Sequence, residues 1–135
     1  MKLGFIGTGK ITSSVVTGIC RSNLSFDKII LSSRSRTVAQ KLKKKFRKIS
    51  IARNNQDILN SCNWVFLAIT PTVGHRIIKD LKFKSNQTII SFISTMTLPQ
   101  LKKAIKVKAK IVRAIPLPPI SLKKDQFQYF HQIKK

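Results

Sequence analysis

Short apolar runs and amphipathic stretches alternate from the first residues of the chain onward. Lys2 to Ile6 is a short apolar strand that runs into glycines. Ile11 to Cys20 then carries Ile11, Val15, Val16 and Ile19 at helical spacing. Lys28 to Ser32 predicts a second strand, and Thr37 to Phe46 a basic amphipathic helix with Val38, Leu42 and Phe46 on one face. Ile49 to Ala52 predicts a third short strand, followed by a brief helix through Ile58 and Leu59 capped by Asn55. Trp64 to Ile69 is continuously apolar, the pattern of a strand covered on both faces. Pro71 stands where a helix can open, with Val73, Ile77, Ile78 and Leu81 as its apolar stripe. Thr88 to Ile93 is the next strand, Leu98 to Ile105 the next helix with Pro99 near its start, and Lys110 to Ile115 a last strand. Pro116, Pro118 and Pro119 then forbid regular structure.

Strand and helix in sustained alternation, joined by short connections, predict an α/β fold. The expected architecture is a doubly wound, mainly parallel sheet with right-handed crossovers and helices on both faces. Residues 1–120 are expected to form one domain, and residues 121–135, where the period is lost, an irregular or helical tail. A length of 135 residues fits one domain with a real core, and a hydrophobic content of 42% is that of an ordinary globular chain. No apolar run approaches the roughly 18 residues that a membrane-spanning helix needs. The glycine-punctuated N-terminus is not a secretory signal, so a cytoplasmic protein away from membranes is expected.

Charge changes this picture in one respect. Lys and Arg total 27 against 4 acidic residues, a formal net charge of +23. Such an excess favours phosphate-bearing partners, whether nucleotides, nucleic acid or anionic surfaces. The cations are spread along the chain, with denser runs at residues 41–48 and 102–110, and a lysine-rich composition accounts for that spread equally well. No aromatic stacking strand or helix-turn-helix pattern is present, so nucleic acid is expected to bind only through nonspecific charge. Cys20 and Cys62 belong to no CxxC or Cys/His cluster, which leaves metal ligation and redox chemistry without support. His75 and His131 lack triad-like partners and are expected at the surface.

The chemistry-bearing motif lies at the first strand-to-helix junction, where Gly7, Thr8, Gly9, Lys10, Ile11 and Thr12 follow a strand and open a helix. This is the context of the dinucleotide fingerprint of a Rossmann-type domain. The first glycine permits a tight turn, the second lets the backbone approach a pyrophosphate, and the helix N-terminus offers unpaired amides to the anion. Thr12 occupies the third small position, where its methyl and hydroxyl must fit a close helix–strand approach. About 20 residues further on, an NAD-specific domain places a carboxylate for the ribose 2′-hydroxyl. Here the segment reads Ser32-Ser33-Arg34-Ser35-Arg36. A carboxylate would repel a 2′-phosphate, whereas guanidinium and hydroxyl groups bind it through charge-assisted hydrogen bonds, so NADP(H) is expected over NAD(H).

These blocks carry a resemblance. GFIGTGKI, LSSRS, ARNNQDIL, VFLAITP, IISFISTMTLPQL and IVRAIPLPP look like the successive blocks of the pyrroline-5-carboxylate reductase family, in order, over residues 1–120. Deazaflavin-dependent NADP reductases are the more distant relatives. The resemblance implies that NADPH is bound by Gly7 to Thr12, by Ser33 and Arg34, and by Asn55. It also implies that the loop of Ala68, Ile69, Thr70 and Pro71 runs beside the ribose and nicotinamide, with Ser94 and Thr95 in place of a small-residue segment. The implied reaction is hydride transfer to a small cyclic imine in proline biosynthesis. The cofactor does the hard step there, so no catalytic residue is expected in this segment. Four departures stand out: Lys10 where the family has asparagine, Thr70 where it has lysine, Thr95 where it has glycine, and Leu117-Pro118 where it has a polar pair near the substrate. The family's helical dimerisation domain has no counterpart here. Two readings follow: the cofactor half of an enzyme, as a truncated product, a fragment of a longer protein or one part of a two-chain enzyme, or an NADP(H)-binding module without turnover; a homo-oligomer or a separate helical-domain partner is expected.

Overall fold

The computed structural model describes residues 1–115, and within them the alternation resolves into six strands and five α-helices. They run β1 (Lys2–Ile6), α1 (Lys10–Arg21), β2 (Lys28–Leu31), α2 (Arg36–Lys45), β3 (Ile49–Ile51), α3 (Asn55–Ser61), β4 (Trp64–Leu67), α4 (Pro71–Ile77), β5 (Thr88–Ser91), α5 (Leu98–Ile105) and β6 (Lys110–Arg113). The expected tail at residues 121–135 and the Leu117-Pro118 pair lie outside the described residues.

All six strands are parallel, in the order β3-β2-β1-β4-β5-β6. Consecutive strands walk outward from β1 in one direction and then, from β4, in the other. Right-handed crossovers therefore put α1 and α2 on one face of the sheet and α3, α4 and α5 on the other. The period of two shows in which core each strand residue enters. Leu3, Phe5, Phe66 and Ile90 join Val15, Val16, Ile19 and Leu42 on the α1/α2 face. Ile6, Val65, Leu67 and Ile89 join Ile58, Leu59, Leu101 and Ile105 on the other. Phe5 and Phe66 stack across adjacent strands with ring centroids 4.4 Å apart, which fills the middle of the first face. Among the described residues, no helix is long and apolar enough to cross a membrane.

Several boundaries differ from those the sequence predicts. β2, β4, β5 and β6 stop one or two residues short of their apolar runs, although single ladder bonds continue, as in Ala68 N–H to the Ile6 carbonyl at 2.8 Å and Phe92 N–H to that of Leu67 at 2.9 Å. The helix cap expected of Asn55 belongs to Asn54, whose side chain accepts from the Asp57 amide at 2.9 Å; Asn55 is the first helical residue. The stripe running from Val73 to Leu81 is not one helix, because α4 ends at Ile77 and tightens into a 3-10 turn over Ile78–Asp80.

Candidate functional site

β1 and β4 are neighbours whose following helices cross to opposite faces, so a crevice opens beyond their carboxyl ends, where open α/β sheets bind ligands. That crevice has a volume of about 560 Å³. The turn after β1 (Gly7, Thr8, Gly9) lines one side, the turn after β2 (Arg34, Ser35) a second, and the segment after β4 (Ala68, Ile69, Thr70, Val73) a third.

The two glycines of the first turn answer to different demands. Gly7 has φ +101°, a conformation that L side chains rarely adopt, and a Cβ there would run into the carbonyl of Ala68 and the side chain of Ile69. Gly9 has an ordinary extended φ of −110°, and a Cβ there would meet nothing within 4 Å. Neither strain nor packing calls for glycine at position 9. What the missing side chain leaves is open space in front of α1.

Side-chain hydroxyls fix this turn to its neighbours. The Gly7 amide donates to Ser32 Oγ at 3.0 Å, the Thr8 hydroxyl donates to the Ser32 carbonyl at 2.8 Å, and the two hydroxyl oxygens lie 2.8 Å apart. With the Thr8 proton committed to the carbonyl, Ser32 Oγ–H is left to donate to Thr8 Oγ1, and the ring of bonds closes. Thr12, fully buried at the third small position, donates to the Gly7 carbonyl at 2.7 Å, so its extra atoms lock the turn rather than obstruct it.

Beyond the turn the backbone is left bare. The first α1 amide to find a helical acceptor is that of Ser13, on the Gly9 carbonyl at 3.0 Å. The amides of Lys10, Ile11 and Thr12 precede it, and no side chain caps them. α2 likewise begins without a side-chain cap, although Ser35 at its N-cap has a hydroxyl to offer. The other three helices are capped, by Asn54, Thr70 and Thr97. The helices that open on the crevice from the α1/α2 face are thus the two with uncapped amides.

Of the residues singled out from the sequence, Gly7, Thr8, Gly9, Arg34, Ala68, Ile69 and Thr70 come together as lining. Arg34 is the charged side chain of that lining; it is exposed and forms no ion pair among the described residues. Lys10 and Ile11 are exposed at the start of α1, Thr12 is buried behind the turn, and Pro71 is the first residue of α4; none of these four is part of the lining. Ser33 is half-buried with its hydroxyl donating to the Arg53 carbonyl at 3.4 Å, and Asn55 is half-buried at the start of α3; neither lines the crevice. Ser35 and Val73 do line it without having been singled out, and Ser32 organises it from below. The signal for Ser32 and Ser35 was their place on either side of Ser33-Arg34. Val73 was read only as part of an apolar stripe.

Titratable groups away from the crevice read as structural. Burial pushes the thiols of Cys20 and Cys62 up to about 11, which makes them poor nucleophiles. A hydrogen bond from the N-terminal ammonium at 2.6 Å, with its charge, holds Asp27 below the usual carboxylate range. Among the described residues, no three His, Cys, Asp or Glu side chains group as metal ligands.

Both the sequence and the fold have known relatives. Residues 2–96 match the family described as NADP oxidoreductase, coenzyme F420-dependent. The chain is 25% identical over 125 residues to pyrroline-5-carboxylate reductase 3 of Danio rerio, covering 90% of this chain and 43% of that protein. It is 26% identical over 121 residues to the pyrroline-5-carboxylate reductase of Escherichia coli K12, covering 87% and 45%. The fold matches the crystal structure of Plasmodium falciparum pyrroline carboxylate reductase with NADP bound, with a TM-score of 0.77 at 20% identity, over 98% of this chain and 53% of that one. The chain therefore spans about half the length of these relatives or less.

Proposed function

The chain belongs to the family of NADP oxidoreductases, coenzyme F420-dependent, and from that premise we propose that it holds NADP(H) in the crevice beyond β1 and β4. The observation that carries the reading is the open space at Gly9 in front of three uncapped amides. A pyrophosphate seated there accepts hydrogen bonds from the Lys10, Ile11 and Thr12 amides and meets the positive end of α1. Arg34 reaches the 2′-phosphate with its guanidinium, a partner that NADH does not offer. Ala68 to Pro71 run beside the ribose and nicotinamide, and the rigid attachment of Gly7 to Ser32 keeps the two anion sites at a fixed separation. Ser33 and Asn55 join this set at its edge, Ser33 by turning its hydroxyl from Arg53.

The proposed reaction is hydride transfer to a small cyclic imine of the pyrroline-5-carboxylate type, a step of proline biosynthesis in the cytoplasm. Bound NADPH supplies the hydride, and this chain supplies position and electrostatics. The relatives named for that activity have about twice this length, and the proposal assigns the rest of the substrate pocket to protein beyond the described residues. Fluorescence titration with NADPH, followed by steady-state oxidation with pyrroline-5-carboxylate, tests both parts. Saturable binding with turnover supports the whole reading. Binding without turnover reduces it to a cofactor-holding module, and absence of binding ends it.

A further inference from the structure

We propose that Lys10 and Arg36 select the ligand of this crevice by its total negative charge, and that they do so by destabilising the ligand-free protein. The inference rests on the cofactor reading above for the identity of the ligand, but its electrostatic basis is a property of the free chain. Lys10 and Arg36 are the first residues of α1 and α2, both exposed. A helical side chain leans toward the N-terminus of its helix, so both cations lean toward the mouth that Gly9, Arg34 and Ser35 line. The N-terminus of a helix is its positive end, where a cation is repelled and an anion welcomed.

Among the described residues, no carboxylate in the first turn of either helix offsets this repulsion, and neither helix has a side-chain cap. The ion pairs among the described residues lie elsewhere: Asp27 with the terminal ammonium at 2.6 Å, and Asp57 with Arg53 at 3.5 Å. α3, α4 and α5 are capped by Asn54, Thr70 and Thr97, and of these caps only Thr70 belongs to the crevice lining. Two uncapped helix starts, whose N-cap residues Gly9 and Ser35 line the crevice together with Arg34, thus each carry a cation as their first residue. A ligand with several phosphate charges relieves all of these at once, and one with fewer charges leaves part of the repulsion in place.

The test compares Lys10→Glu and Arg36→Glu with Lys44→Glu, which makes the same charge change in the last turn of α2. Melting is followed without ligand, then with inorganic pyrophosphate and with adenosine 2′,5′-bisphosphate, and NADPH affinity is measured separately. The expected result is a pair of opposite signs at positions 10 and 36. The ligand-free Tm rises by about 3–6 °C in each variant, while NADPH binding weakens about tenfold or more. Lys44→Glu gains no such stability, because it loses a favourable cation at a helix C-terminus. An equal rise in Lys44→Glu would assign the gain to relief of the overall charge and overturn the proposal. So would a fall in Tm at positions 10 and 36, or unchanged affinity. If the unaltered protein fails to bind NADPH, the cofactor reading falls; stabilisation by pyrophosphate that disappears in Lys10→Glu would still uphold the anion-selecting pair, and its absence would overturn that too.

Discussion

A side chain at position 9 would find no atom within 4 Å, whereas one at position 7 would strike the carbonyl of Ala68. Substitution at these two positions should therefore separate binding from folding. Gly9→Val is expected to lose no more than about 1 kcal/mol, the difference between glycine and valine at a helix N-cap, and to lose NADPH binding, because the new methyls occupy the place of the pyrophosphate. Gly7→Ala is expected to lose about 1–3 kcal/mol or more from its strained φ alone, seen as a fall in the denaturant midpoint. At Arg34, replacement by alanine removes a charged hydrogen bond of about 1.5–3 kcal/mol, so NADPH should weaken by roughly ten- to a hundredfold while NADH scarcely changes. Equal losses for both cofactors would show that Arg34 does not touch the 2′-phosphate. Cys62 allows a prediction in pH. Burial keeps its thiol protonated in the native state from its ordinary 9.0 up to about 11, while the unfolded chain ionises from 9.0. Its contribution is thus full below pH 9 and lost as pH rises toward 11. Cys62→Ala should flatten that alkaline decline relative to the parent, a difference in which the discharge of lysines common to both proteins cancels. At this scale the glycine turn and Arg34 were legible because their meaning is local. Ser32 was not, since its bonds to Gly7 and Thr8 span 25 and 24 residues of sequence.

Each element was legible in kind and less so in extent, and the reasons differ along the chain. β4 shows its nature because Val65, Phe66 and Leu67 are buried on alternate faces and must all be apolar. Its end cannot be read from Ala68 and Ile69, which are as apolar as the strand but turn away over Gly7 to line the crevice. The cap of α3 was misplaced by one residue because Asn54 and Asn55 are chemically identical; the exit of the chain from β3 puts Asn54 in the extended region, at φ −152°, where its side chain reaches the Asp57 amide. The predicted and observed bounds of α5 coincide, with Pro99 in the first turn as its signal; the structure adds a capping box, in which Thr97 and Gln100 exchange side-chain bonds with each other's amides. This agreement gives a control for the binding experiments. Thr97→Ala should cost about 1 kcal/mol in thermal denaturation and leave NADPH affinity unchanged, since α5 begins away from the crevice lining. A parallel loss of affinity would mean that the crevice depends on α5 in a way its lining does not reveal.

For the molecule as a whole, the crevice and the two cores are one cooperative object. β1 runs through the middle of the sheet, gives Phe5 to one core and Ile6 to the other, and continues directly into Gly7. A ligand held at that turn should therefore stabilise residues far from it by mass action, whichever contact is weakened. Phe66 is the sharpest place to look. It is fully buried on β4, stacks on Phe5, and lies outside the crevice lining. Phe66→Leu keeps an apolar side chain there but gives up the ring stacking, and is expected to destabilise by about 1–2 kcal/mol. If the domain unfolds as a unit, NADPH at a hundred times its Kd should add about 2.7 kcal/mol to the parent and to the variant alike. The equality rests on position 66 lying outside the crevice lining, so that the substitution leaves the Kd as it is. The measurement is a pair of denaturant curves for each protein, with and without NADPH. Equal increments would show that cofactor binding and folding are a single equilibrium across the whole sheet. A much smaller increment in Phe66→Leu would mean that the centre of the sheet opens without releasing the cofactor turn, and the cooperative picture would fail.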